Sequence, residues 1–575
     1  MAIGTDLNSS SLPQDIPSGQ PSETLPAVRA GQDFAWRFTL AAFLLAALLA
    51  VFVQWRTGAW RDDFSATGDE SSHFTSSVAM SRYLTSGQLM HPYQFASQYY
   101  VHYPKLAFGK WPPFFYLLSG IWFLIFSPSR LTAMIFIALE SAALAAVAYW
   151  VASRLLPPLL ALLAALAVVA TPFFALHSTI FMLEPQTAAL GLLSLMAFLA
   201  VLEGVGLWAE AAFIAASCAC ILTKANGWAV LLSAGIGYLF LRRRAKISLF
   251  RLAAVFALVV AICAPFYYVF LHAMSDGNVS GSPSLAFTMA AVPSYLQNSA
   301  LAVGPAISVL LVAALIAYLL GASRGTGPRP LVVLLLAWAG GAFLFQSVVP
   351  ASFEIRHLAI AFPCLVLLAF AGVRELCDRF EPRWAPAASV ALLLLTIPWT
   401  MPARFSDLFQ IAAPEVVSDL AKTVNKAVLV SSDGPDEGRM VASMAALDLE
   451  RRYICIRATK LLVDTDWGAD DYRLLVSTPA DVLKKLDSVP VGLVLIHDMG
   501  RREPYKHDLL LRDALLSAPG QWRVKQVLKG TSPDGTPESL TVFENSANAA
   551  KPILSFQVDM RRKLGRVLAT QFNDE

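Results

Sequence analysis

The stretch Gly68-Asp69-Glu70-Ser71-Ser72-His73-Phe74 sets two carboxylates and an imidazole just beyond the first long apolar run of the chain. A carboxylate so placed is the residue type that takes a proton from a reacting hydroxyl. A helix starting at Glu70 would make Asp69 its N-cap. Glu70 and His73 would then share a face at i, i+3. Phe74 and Val78 would pack that helix on the membrane surface.

Four more sets follow. HYPKLAFGKWPPFFYLL, 102–118, brings His102, Lys105 and Lys110 to the start of a short apolar run, where Pro112-Pro113 suits a helix start. In FMLEPQ, Glu184 precedes Pro185 at the start of a span. In LTKANG, Lys224 lies between two spans joined by almost no loop. In FEIRH, Arg356 and His357 precede a late span. Singly, each has a plain structural reading: a helix cap, a carboxylate favoured by the helix dipole, a snorkelling Lys, an interfacial anchor. Together they gather carboxylates and cations at one end of one bundle. Cations there suit a phosphate held at the membrane surface, and a carboxylate suits activation of a hydroxyl.

The elements that must hold these residues are membrane helices. Of 575 residues, 56% are hydrophobic and 15% charged, against about one-quarter charged in soluble domains. Apolar runs long enough to cross a hydrocarbon core of about 30 Å recur from 36 to 401. The fold class is an α-helical polytopic membrane protein. A net charge of +3 is too small to argue for nucleic acid. The cysteines, Cys218, Cys220, Cys263, Cys364, Cys377 and Cys455, form neither a disulfide framework nor a paired zinc motif.

Residues 1–35 are polar and rich in Ser, Pro and Gln, as in a disordered cytoplasmic tail. The first span would act as an uncleaved anchor. The basic cluster Arg242-Arg243-Arg244, with Lys246 and Arg251, is placed inside by the positive-inside rule. That holds if the short run 112–126 lies at the interface and does not cross. About eleven crossings result: 36–54, 130–153, 157–176, 185–202, 207–223, 226–241, 250–272, 298–320, 330–349, 358–373 and 386–401. A long outer loop, 55–129, then carries the first two sets, and all five sets lie on the outer face. Region 402–575 changes character: strand-like runs (427–433, 453–457, 492–498, 522–528, 539–544) alternate with amphipathic helical runs. It reads as an extracytoplasmic α/β domain. GPDEG, 434–438, lacks the spacing of a phosphate loop and reads as an ordinary turn.

On these motifs the sequence resembles the GT-C glycosyltransferases that use polyprenyl-phosphate sugars, in the branch of protein O-mannosyltransferases and lipid A aminoarabinose transferases. The matching features are Gly68-Asp69-Glu70 after the first span, Lys110-Trp111-Pro112-Pro113, Arg130 entering the next span, Leu183-Glu184-Pro185, Lys224 to Gly227, and Arg356-His357. The likeness covers 36–400. It departs at Glu184, where many relatives carry Asp, at His357, where Tyr is common, and at Trp111, which separates the Lys from the prolines.

The resemblance implies an inner- or plasma-membrane enzyme that moves a hexose or pentose from a polyprenyl-phosphate donor to a hydroxyl of a protein, lipid or glycan, with inversion. Asp69 would be the base, and Glu70 and Glu184 would orient the acceptor or support it. Lys105 or Lys110, Lys224 and Arg356 would hold the leaving phosphate, helped by His102 and His357. No catalytic metal is required by this scheme, though a divalent cation is compatible with it. Two other classes fit a polytopic chain with charged spans. A lipid or sugar transporter tends to show repeated halves and midplane charges, and neither is visible here. A non-catalytic scaffold with an outer recognition domain would not need the intact acidic pair.

Overall fold

The computed structural model describes residues 25–64, 68–108, 110–273, 282–322, 329–397, 406–464, 472–500, 503–532, 534–553, 555–561 and 565–571. Residues 1–24 of the expected tail lie outside them; the first helix already begins at Leu25. The helical part comprises α1 (Leu25–Thr57), α2 (Gly68–Thr85), α3 (Pro92–His102), α4 (Phe114–Ile125), α5 (Arg130–Ala152), α6 (Pro158–Ala170), α7 (Pro172–His177) and α8 (Glu184–Glu203). It continues with α9 (Leu207–Thr223), α10 (Ala229–Leu241), α11 (Leu249–Ala273), α12 (Leu285–Val303), α13 (Pro305–Ala322), α14 (Pro330–Val348), α15 (Ala361–Phe380) and α16 (Ala385–Thr396).

Among the described residues, five helices are long and apolar enough to cross a membrane: Trp36–Thr57, Arg130–Ala152, Glu184–Glu203, Leu249–Val269 and Pro330–Val348. Each coincides with an expected span. The expected span 298–320 does not form as one helix. It breaks between α12 and α13, which meet at 112°. Gly304 takes φ 90°, a left-handed value that suits glycine, and Pro305 has no N–H to continue the preceding helix. The run 112–126 forms the twelve-residue α4, which packs against α2.

Helix α2 is also more enclosed than expected. Phe74 and Val78 are fully buried within the protein, not laid on a membrane surface. Phe74 stacks on Phe64 at 4.1 Å and meets Phe123 and Phe181 edge-on at 5.4 and 5.9 Å. This aromatic cluster locks α2 to α4 and to the segment between α7 and α8.

The C-terminal part is an α/β unit. After α17 (Leu408–Lys422) come β1 (Ala427–Ser431), α18 (Gly434–Leu447), β2 (Ile454–Arg457), α19 (Ala458–Leu461), β3 (Val463–Asp464) and β4 (Arg473–Leu474). Then follow α20 (Pro479–Ser488), β5 (Leu493–Asp498), α21 (Lys506–Ser517), β6 (Arg523–Thr531), β7 (Pro537–Glu544), β8 (Ser555–Met560) and β9 (Arg566–Gln571). The main sheet runs β2-β1-β5-β7-β6. The β1–β2 and β1–β5 pairs are parallel, whereas β5–β7 and β6–β7 are antiparallel. Inner strand β1 and edge strand β2 are both buried throughout, which explains their unbroken apolar runs. GPDEG is not a free turn but the first turn of α18, capped by Asp433, whose side chain accepts from the Asp436 amide at 2.7 Å.

A buried ion network ties this unit together. His497 on β5 lies 3.2 Å from Glu538 and 3.4 Å from Asp436. Burial opposes its charged form, but the two carboxylates outweigh that and lift the ring from 6.5 to about 9. A raised pKa contributes stability that is fully present below the unfolded value and lost as pH rises through about 9. The loss is on the order of 3 kcal/mol. Thermal unfolding followed from pH 6 to 10 should therefore show the wild type weakening across that window. His497→Gln should be flatter there, and a variant with the same slope as wild type would sink the assignment.

Candidate active site

The site forms where α2, the segment after α3, the start of α8, the α9–α10 turn and the segment before α15 meet. Helix α2 begins at Gly68, ahead of the expected start, so Asp69 and Glu70 both sit in its first turn, where a carboxylate favours the helix dipole. Their partners then divide. Asp69 Oδ2 accepts from Arg356 Nη2 at 2.7 Å. Fully buried Glu70 accepts from Arg130 Nη1 at 2.5 Å and from the Phe181 amide at 2.8 Å.

Glu70 therefore braces α2 against α5 and the segment before α8. Arg130 completes the brace, giving Nε to the Ala59 carbonyl at 2.7 Å and Nη2 to the Thr179 carbonyl at 3.0 Å. Asp62 lies 3.6 Å away, and the guanidinium sits 4.8 Å from the Phe64 ring centre. The Ser129 capping box, which starts α5, fixes the entry of Arg130.

Glu184 opens α8 and accepts from Lys224 Nζ at 2.5 Å. His177, at the end of α7, lies 4.0 Å from Glu184 Oε2. Lys224 caps α9, and the chain turns back so tightly that a Cβ on Gly227 would lie 2.6 Å from the Cys220 carbonyl oxygen. That close approach is the physical content of the Lys-x-x-Gly spacing. Asn226 in the same turn donates to the His357 carbonyl at 2.7 Å, tying Lys224 to the Arg356-His357 segment. Arg356 is also paired with Glu354.

Electrostatically the groups act on one another. Burial, the largest single influence, pushes the Asp69 carboxyl upward, but the charge and hydrogen bond of Arg356 together with the Lys110 charge act the other way, and Asp69 is held below the ordinary carboxylate range. The Arg356 guanidinium is raised: burial acts downward, and Asp69 and Glu184 outweigh it. Lys105 is lowered to about 7, first by burial and then by the Arg457 charge, while Asp69 acts the other way. Lys105 Nζ donates to the Gly434 carbonyl at 3.2 Å, so it joins the site to the first turn of α18. There, a Cβ on Gly438 would lie 2.5 Å from Ser71 Oγ and 2.8 Å from Lys105 Cε. Lys110 lies 5.2 Å from the Trp111 ring centre.

Of the nine residues singled out from sequence, Asp69, Glu184, Lys224, Arg356 and His357 come together, with Lys105 and Lys110 at the Asp69 side. Glu70 turns away into its brace. His102 is directed elsewhere: its Nδ1 is 2.9 Å from the Tyr453 carbonyl oxygen, against the C-terminal unit. His73, His177 and Asn226 belong to the cluster but were not among the nine. His73 shares the Asp69 stretch and was legible. His177 and Asn226 reach it through a break between helices and a tight turn, which no periodicity signals.

Several buried polar atoms in this cluster have no hydrogen-bond partner: His73 Nε2, Glu184 Oε2, Arg356 Nη1, His357 Nδ1 and Asn226 Oδ1. Buried polar groups are normally satisfied, so this concentration marks a place built to meet polar atoms of something else. Among the described residues, no three His, Cys, Asp or Glu side chains are grouped as metal ligands would be.

No protein-family model matches the chain, and no curated protein matches it in sequence. Solved structures do resemble it. ArnT from Cupriavidus metallidurans, in a crystal structure bound to undecaprenyl phosphate, superposes with a TM-score of 0.50 at 14% identity, over 89% of this chain and 99% of that one. The archaeal oligosaccharyltransferase AglB from Archaeoglobus fulgidus, in complex with an inhibitory peptide and a dolichol-phosphate, gives 0.50 at 12% identity, over 87% of this chain and 74% of that one. An apo form of the Archaeoglobus fulgidus oligosaccharyltransferase gives 0.50 at 12% identity, over 80% and 69%. The polytopic helical body and strand-bearing C-terminal unit of this chain together share the fold of these ArnT and oligosaccharyltransferase structures.

Proposed function

We propose that the chain is an inverting glycosyltransferase that moves a sugar from a polyprenyl-phosphate donor to a hydroxyl acceptor. The carrying observation is the Asp69–Arg356 pair. It is an ionised carboxylate whose partner keeps a second guanidinium nitrogen, Nη1, unpartnered, beside the Lys224–Glu184 pair. Asp69 takes the proton of the acceptor hydroxyl. The acceptor oxygen forms a bond to the anomeric carbon from the face opposite the phosphate. The anomeric C–O bond to phosphate breaks, and its electron pair leaves on the lipid phosphate. Lys224 and Arg356 meet that growing charge, with Lys110 behind them. Glu184 holds Lys224 in place, and Glu70 supports the base by fixing α2. Side chains alone supply the positive charge in this scheme.

The lipid phosphates bound in the ArnT and AglB structures support this donor class. The site and region 402–575 would face outward from a cell membrane, the inner one where there are two.

The test uses purified protein in lipid nanodiscs, titrated with undecaprenyl phosphate and a panel of polyprenyl-phosphate sugars. Wild type should bind at least one conjugate. Lys224→Met/Glu184→Gln removes the cation together with its buried counter-charge, which keeps the fold. It should bind roughly 10- to 100-fold more weakly, as a charge-assisted hydrogen bond of about 1.5–3 kcal/mol implies. Folded wild type that binds nothing in the panel overturns the donor assignment.

A further inference from the structure

His73 is fully buried and lies one helical turn beyond Asp69 on α2. Its Nδ1 is 2.7 Å from the Tyr116 hydroxyl. The ring meets Trp111 edge-on at 4.9 Å and stacks on Tyr116 at 5.9 Å. Trp111 and Tyr116 thus hold one orientation, and the ring's other nitrogen, Nε2, is buried without a partner. The Tyr116 hydrogen bond accounts for one ring nitrogen, but nothing in the packing accounts for the second, Nε2. An orphaned buried nitrogen costs about 1–3 kcal/mol, and such a cost is characteristic of a group awaiting a ligand.

The groups that act on the ring say where it sits. They are Asp69, Glu184, Arg356 and Lys224, the two acid–base pairs of the site. Burial outweighs both carboxylates and holds the imidazole near 3, so it is neutral at working pH. A phenol is the stronger donor of the pair, so the Tyr116 O–H gives to Nδ1 and Nε2 carries the hydrogen. A phosphate is drawn to the cations, Lys224 and Arg356, rather than to a neutral N–H. What remains for a neutral donor one turn from Asp69 is a neutral oxygen.

We propose that His73 is a sugar-contacting residue, whose Nε2–H donates to a hydroxyl of the transferred sugar and so helps to choose it. This rests on the transferase reading above. It assigns a division of labour within the site: cations grip the lipid phosphate, and the boxed imidazole reads the sugar.

The test compares wild type, His73→Leu and His73→Gln in nanodiscs, each titrated with undecaprenyl phosphate and with the polyprenyl-phosphate sugar panel. His73→Leu should bind undecaprenyl phosphate within about 2-fold of wild type but lose roughly 10-fold on the conjugates that wild type prefers, the size of one buried hydrogen bond. His73→Gln, which keeps an N–H near the same place, should recover most of that loss. A purely packing role would weaken bare phosphate and conjugates by the same factor. That result, or no change on either, overturns the proposal, as does a wild type that binds conjugates no better than the bare phosphate. Wild type that fails to bind undecaprenyl phosphate at all defeats the underlying transferase reading, an outcome visible before any variant is made.

Discussion

Asp69→Asn should abolish turnover, by roughly 10²- to 10⁴-fold, while leaving donor binding within a few fold. The amide keeps the shape of the carboxylate, and its oxygen can still accept from Arg356 Nη2, so the pair at 2.7 Å survives in outline. What is lost is the ability to take a proton. Removing the negative charge also leaves Arg356 freer to attract a phosphate, so donor affinity should hold or rise. The wild-type carboxyl is held below its usual range despite burial, because the charge and hydrogen bond of Arg356, with the other cations nearby, together exceed the desolvation. It therefore stays ionised through neutral and mildly acid pH, and any low-pH fall in rate should come only below the ordinary carboxylate value. Single-turnover hydrolysis of a bound conjugate reads all of this. An Asn variant that binds donor and turns it over at the wild-type rate would remove Asp69 from the chemistry.

The second large effect concerns folding. Arg130→Met leaves Glu70 buried with no counter-charge and three acceptors without their donor. Breaking a buried ion pair from one side costs about 3–5 kcal/mol. Thermal unfolding in detergent should show that loss as a large drop in midpoint. Arg130→Lys should fare little better, because an ammonium cannot reach three acceptors in the fork geometry of a guanidinium. Arg130→Met/Glu70→Gln removes both charges and should regain most of the stability. If Arg130→Met alone unfolds like wild type, the brace is not what holds α2.

These two neighbours in sequence, Asp69 and Glu70, show what a sequence can and cannot disclose. Their type and place beyond the first span pointed to a polar cluster, as did Lys224 and Arg356 at the ends of spans, and Asp69, Lys224 and Arg356 do pair within one. The alternating runs after 402 also announced the α/β unit, down to β1, β2, β5 and β7. The split between the acids was not legible. It depends on where α2 starts, and helix ends are uncertain by one or two residues from pattern alone. His102 went astray for a different reason: its partner, Tyr453, lies 351 residues away, and no local pattern encodes that contact. The break at Gly304-Pro305 was written in the chain as a breaker pair. The apolar run on both sides hid it, because composition identifies a span without regard to one bend.

The contact at Gly438 bears on how such proteins diversify. The residue sits where α18 presses on Ser71 and Lys105, with no room for a methyl group. The C-terminal unit is thus part of the wall behind the acid-bearing helix, not cargo on a tether. A lineage could not exchange it for another domain by cutting at the linker. The replacement would need a helix that starts at the same spot and carries a bare backbone there. Inheritance of the two halves should be joint, and chimeras joined near residue 402 should lose their helical half along with the C-terminal one.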